Sequence, residues 1–171
     1  MKTKRPRRRV QKQNVGNAGE YYVAAVLSAM NYTATITLGR AERYDILAVS
    51  PKKKAYKFSV KTRLSKESTA FTLSERDELG FENDLFYVFV RLYDFKEKPD
   101  YWVLPSKVVS KIIAGSYKKW LSDIGKRSGK RHNHTTLRKI PVDVRGIDIK
   151  YYGLGWADEM LKYKNNFRAL R

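Results

Sequence analysis

A chain of 171 residues with 42% hydrophobic and 13% aromatic residues is long enough for one domain with a full core. Thirty-six Lys and Arg against seventeen Asp and Glu leave a net charge of +19, a field that attracts polyanions and points to nucleic acid rather than a membrane surface as partner. The absence of cysteine excludes disulfides and thiolate zinc sites. No apolar run approaches the roughly 18 residues that a bilayer span requires.

Residues 1–13, MKTKRPRRRVQKQ, hold seven basic side chains and no acidic one. They read as a basic arm ahead of a single domain over 14–171. Lys4, Arg5, Arg7, Arg8 and Arg9 are its candidate phosphate contacts, because clustered cations release counterions from a nucleic-acid backbone. The arm lacks the apolar segment of a signal peptide, so cytoplasmic residence is the expectation. In NAGEYYVAAVLSAMNY, Tyr22, Val23, Val26, Leu27 and Met30 recur at helical spacing. Asn17 is placed to cap that helix, with Glu20 three positions on in a capping box.

YTATITL (32–38) is rich in β-branched residues and predicts a strand. YDILAVS predicts a second, with Ile46 and Ala48 on one face and Asp45 and Leu47 on the other. SPKKK is a hairpin turn, and AYKFSVKT a third strand in which Ser59 and Lys61 share a face. Residues 63–83 read as polar and turn-rich, with Ser74 capping a helical turn through Asp77. DLFYVFVRLY is the most apolar strand, and DYWVLP another. Pro105 opens the helix SKVVSKIIAGSYKKWLSD. IGKRSGKRHNHTTLRK reads as a glycine-punctuated basic loop, with Lys126, Arg127, Lys130 and Arg131 as candidate phosphate contacts. His132 and His134 could share a strand face and bind a metal, but their cationic neighbours favour a phosphate-contacting role. WADEMLKYKNNFRALR reads as a closing helix. Helix, strands, then helix without strict alternation predicts an α/β fold, a mixed central β-sheet flanked by helices.

Phosphodiester hydrolysis needs a hard divalent cation, carboxylates to hold it, and a cation that orients water or stabilises phosphoryl charge. If the SPKKK hairpin closes, Asp45 lands across from the end of the third strand, near Ser59 and Lys61. A helix on that sheet could bring Glu20 to the same place.

The ordered set GEYYVAAVLSAMNY, YDILAV and YKFSVKT resembles the PD-(D/E)xK nuclease superfamily, which includes restriction endonucleases and Holliday-junction resolvases. With TLSERDE, LFYVFVRLY and YWVLPSKVV it is similar to a family of small prokaryotic proteins predicted to be such nucleases, over about residues 16–120. The resemblance implies a restriction-endonuclease-like core and a Mg²⁺-dependent (or Mn²⁺-dependent) endonuclease acting on DNA, often as a homodimer. It implies a helix glutamate at Glu20, a metal-binding aspartate at Asp45 and a lysine at Lys61. The superfamily carries an acid two residues before the lysine, and here that position is Ser59. Glu42 and Glu67 are the acids close enough in sequence to replace it. A non-catalytic DNA-binding protein on the same fold, or a basic RNA-associated protein, is the alternative.

Overall fold

In the computed structural model, the described residues are 10–37, 43–64, 70–93, 97–125, 128–142, 149–167 and 170. The elements in chain order are α1 (Lys12–Ala29), β1 (Thr33–Ile36), β2 (Ile46–Val49), β3 (Ala55–Leu64), β4 (Ala70–Ser74), α2 (Glu75–Leu79), β5 (Leu85–Leu92), β6 (Asp100–Pro105), α3 (Ser106–Ser122), β7 (Leu137–Pro141) and α4 (Trp156–Leu161), with a 3₁₀ turn over Ile149–Tyr151. Five strands form one sheet in the order β1-β2-β3-β5-β6, and β4 pairs with β7 in a second, two-stranded sheet. The main sheet is mixed: β3 and β5 run parallel, and the other neighbours are antiparallel.

Both faces of the main sheet are covered, which explains why β5 is buried at every position and, Arg91 apart, is built of aliphatic and aromatic residues. On one face Phe58, Val60, Phe86, Val88 and Val90 pack under Val23 and Leu27 of α1. Burying each of those two helix residues contributes about 1.5–3 kcal/mol. On the other face Leu85, Tyr87 and Phe89 pack with Phe71 and Leu73 of β4, Ile140 of β7, Val109 and Ile113 of α3, and Trp156 and Met160 of α4. The protein is thus a mixed α/β sandwich, as its sequence predicts.

Four local expectations are corrected. Helix α1 starts at Lys12, with Gln11 at its N-cap position, so it reaches into the predicted arm and Asn17 is not its cap. Glu20 therefore lies in mid-helix, where a capping box cannot account for it. The helical turn after Ser74 is present as expected, but residues 70–74 ahead of it are a strand rather than a turn-rich stretch, because Phe71 and Leu73 alternate with exposed Thr72 and find Ile140 and Arg138 opposite. For the same reason the end of the predicted basic loop is strand β7. The closing helix stops at Leu161: Asn165 turns with φ 50°, its amide donates to the Tyr101 carbonyl at 2.7 Å, and Lys164 bridges Trp102. Pairing with the free edge of β6 outweighs helical propensity there.

Candidate functional site

The β2–β3 ladder runs from Val49–Ala55 to Ile46–Phe58 and then ends. Beyond Phe58, β3 continues to Leu64 with only β5 as a ladder partner. Asp45 sits at this fork. Its amide donates to the Phe58 carbonyl at 2.7 Å. Its carboxylate Oδ2 accepts the Val60 amide at 2.6 Å, a charge-assisted bond that replaces the next rung of the ladder. One carboxylate oxygen is thereby fixed and the other has no such backbone partner. Asp45 thus ends the ladder with its side chain as well as its backbone.

Helix α1 crosses β3 at Gly19. A Cβ at Gly19 would lie 2.8 Å from both Cβ and Cγ2 of Thr62 and closer still to its hydroxyl, so only glycine permits this approach. The next residue is Glu20. Its acidity is shifted: burial raises its pKa above the usual carboxylate value, the neighbouring Asp45 charge raises it further, and the Lys61 ammonium works against both. Glu20, Asp45 and Lys61, from a helix and two strands, therefore lie within electrostatic reach of one another. Among the described residues no salt bridge within 4 Å engages Lys61, whose charge acts on Glu20 and Asp77 at longer range.

Ser59 is 2% exposed and pairs in register with Tyr87 of β5, on the same sheet face as Lys61. The Tyr87 hydroxyl donates to Asp77 Oδ1 at 2.7 Å. Asp77 Oδ2 accepts both the amide and the hydroxyl of Ser74, each at 2.7 Å, in the capping box of α2. Burial alone would raise the Asp77 pKa. The Ser74 and Tyr87 hydroxyls, the Ser74 amide and the Lys61 charge outweigh burial and hold it below its usual value. Burial together with the Asp77 carboxylate pushes the Tyr87 hydroxyl well above its ordinary pKa. Asp77 is thus a third acid in the field of Lys61, reached from β5 rather than from β3. The motif could not reveal it, because its contact with Tyr87 comes from tertiary packing; a capping pattern was its only sequence signal.

The carboxylates suit a hard cation only modestly. Among the described residues no group of three or more His, Cys, Asp or Glu is arranged to hold a metal ion. Mg²⁺, however, is commonly held by one or two carboxylates together with waters and substrate phosphate, and Glu20 with Asp45 meets that need. Glu42 and Glu67, the candidate replacements for the missing acid, lie outside the described residues. So do Lys4, Arg5, Arg7, Arg8, Arg9, Lys126 and Arg127. Lys130 and Arg131 are exposed. The two histidines do not form a metal pair: His132 lies flat on Trp120, and His134 Nε2 approaches Glu75 Oε1 at 3.5 Å, so a carboxylate is nearer than the sequence suggests. Near the fork Tyr22 packs on Tyr101, Tyr44 lies half-buried, and Tyr21 is exposed.

No family model matches this sequence, and no curated protein matches it. Among solved structures, a bacterial homing endonuclease, I-Ssp6803I, superposes with a TM-score of 0.45 at 15% identity, over 90% of this chain and 94% of that one. MepB superposes with a TM-score of 0.41 at 10% identity, over 93% of this chain and 99% of that one. Likenesses of this degree carry no functional weight; the chemistry rests on the notch itself. Among the described residues no helix is long and apolar enough to cross a membrane.

Proposed function

We propose that this protein is a metal-dependent endonuclease acting on DNA, with a degenerate PD-(D/E)xK site at the β2–β3 fork. What supports this reading is the fork itself: the Val60 amide holds the Asp45 carboxylate at 2.6 Å where the β2–β3 ladder ends, and the close crossing of Gly19 over Thr62 brings Glu20 to within electrostatic reach of Asp45 and Lys61. Two carboxylates and a lysine that sense one another, placed where a hairpin opens, are a recurrent sign of a reactive site.

Glu20 and Asp45 would hold Mg²⁺, which when bound supplies Lewis-acid stabilisation of the scissile phosphate and a more acidic water. The Val60 amide keeps the Asp45 carboxylate in one orientation. Lys61 binds a non-bridging phosphate oxygen or orients the attacking water by donating from its ammonium. Lys130, Arg131 and the basic arm would supply cations to the nucleic-acid backbone. A second copy of the chain would allow both strands to be cut.

A DNA-binding protein without hydrolysis is the second reading, favoured by the neutral Ser59 at the position of the missing acid. Cleavage of supercoiled plasmid in Mg²⁺ or Mn²⁺ separates the two. Lys61→Ala and Asp45→Ala are expected to lower cutting by at least about 100-fold while leaving DNA affinity within about threefold. Wild-type protein that binds DNA with no response to either metal, and equally well as Lys61→Ala, overturns the nuclease reading. A strong preference for RNA in competition would replace DNA as the partner.

A further inference from the structure

The second feature of the molecule that fits a ligand lies at the far end of α3, where aromatic rings and cations share one surface. The His132 imidazole stacks on the Trp120 indole with ring centres 4.1 Å apart and planes 12° from parallel. Tyr117 stacks beside Trp120 at 5.6 Å and 21°, and His134 meets Tyr117 edge-on at 5.8 Å. The loop that delivers His132 is held in place by the bridge between Ile124 and Arg131 and by the Gly125 amide donating to the Lys130 carbonyl at 2.9 Å. Trp120 and His132 are only half-buried. Around them Lys118, Lys119, Lys130 and Arg131 are exposed. The acids at hand are already engaged: Asp123 pairs with Lys150 and accepts from Tyr151 at 2.5 Å, and Glu75 faces His134 and Arg138.

A core aromatic cluster would be covered, and a solvated lysine face would not need stacked rings. Half-exposed stacked rings ringed by cations instead match the two terms that bind single strands: phosphates on the cations and unpaired bases on the aromatic faces. A duplex would satisfy only the first term, because its bases are stacked on each other. The Arg138 guanidinium lies 3.4 Å from the Tyr117 ring centre and pairs with Glu78, which ties the surface to α2 and so to the helix that carries Asp77. A strand held here lies on the side of the sheet to which Lys61 points.

We infer that the His132–Trp120 stack and its surrounding cations form a binding surface for single-stranded nucleic acid, with an unpaired base added to the stack. This goes beyond the nuclease reading and does not need it: a molecule that cuts nothing could still bind a strand in this way.

The test uses the full-length Lys61→Ala protein without divalent metal, so that nothing is cut. Trp102 and Trp156 are 2% and 6% exposed, so a change in tryptophan emission on ligand binding reports chiefly on Trp120. Oligo-dT is expected to quench that emission at saturation, as followed in parallel by anisotropy of a labelled oligonucleotide. A duplex of equal length and heparin should bind through charge with little quenching. His132→Ala and Trp120→Phe should weaken oligo-dT binding about three- to tenfold, or about 0.7–1.4 kcal/mol, and leave duplex binding within twofold. Oligo-dT that binds without quenching, equal quenching by heparin, or equal losses for duplex and single strand would each show a stack that only pins the loop, and would overturn the inference. Should Trp120→Phe fail to fold, His132→Ala carries the test alone.

Discussion

The approach of α1 to β3 at Gly19 makes Gly19→Ala the most informative single change. The added methyl would sit 2.8 Å from Thr62 Cβ and Cγ2, where ordinary contact begins near 3.4 Å, so helix or strand must move by at least 0.6 Å, the difference of the two distances. Rotation of Thr62 removes the hydroxyl from the clash but cannot remove its Cβ. Forcing a methyl into such a contact costs about 1–3 kcal/mol. Replacing a mid-helix glycine returns about 0.5–1 kcal/mol. The net loss is about 1 kcal/mol, or about 2–4 °C in Tm for a chain of this size.

The functional loss should be larger than the structural one. Glu20 follows Gly19 directly, and a misplacement approaching 1 Å in a catalytic group can cost about 100-fold in rate. Plasmid cleavage and thermal melting on the same preparations would show both. Gly16→Ala is the matched control: it lies in the same helix, and nothing stands within 4 Å of its added methyl. It should stabilise by about 0.5–1 kcal/mol and cut normally. Gly19→Ala and Gly16→Ala with indistinguishable melting and cutting would refute the claim that this crossing places Glu20.

Glu20→Gln should make the metal-free protein more stable at neutral pH than wild type. A carboxyl whose folded pKa is raised opposes folding above that value, and the penalty fades as pH falls towards the unfolded value of 4.5, so the advantage should vanish below it in urea titrations run across pH. Asp77→Asn should do the opposite. Its folded pKa lies below 3.8, so the wild type gains stability above that pH and loses it as pH falls through the lowered value; the variant should be weaker by about 1–3 kcal/mol at neutral pH and equal to wild type in acid. Ser59→Glu should tighten Mn²⁺ binding in calorimetry by at least about tenfold if Asp45 and Lys61 border one site; no gain would mean that the pocket does not exist.

Much of the notch was legible in the primary structure because its parts follow period-two and hairpin logic. Asp45 precedes a strand whose partner begins after SPKKK, and Ser59 and Lys61 alternate with Phe58 and Val60; register then follows from closing the hairpin. Glu20 was legible as a polar residue in an apolar helix, but its surroundings suggested a cap, because the helix begins five residues before the Asn17 that should start it. Gly19 carried no signal, since its role depends on Thr62, 43 positions away. β4 was obscured by the polar residues around it, and β7 by the basic loop that precedes it. Each becomes a strand only by pairing with the other across about 67 residues, and neither run is long enough to announce itself. The same holds for the end of the last helix, which gives way to pairing with β6.

The neutral Ser59 becomes intelligible once Asp77 is counted. Glu20 feels both Asp45 and Lys61, and Asp77 feels Lys61, so these three acids and one ammonium sum to −2 when all are ionised. A divalent cation would bring that sum to zero. A fourth carboxylate at position 59 would be almost fully buried, next to a tyrosine hydroxyl already committed to Asp77. Without metal it would add repulsion that the sheet cannot screen, since buried like charges interact far more strongly than solvated ones. A neutral serine at this buried position avoids that repulsion. The gain in metal affinity expected of Ser59→Glu should therefore come with a loss of stability in the apo protein, read as a lower urea midpoint than wild type at neutral pH.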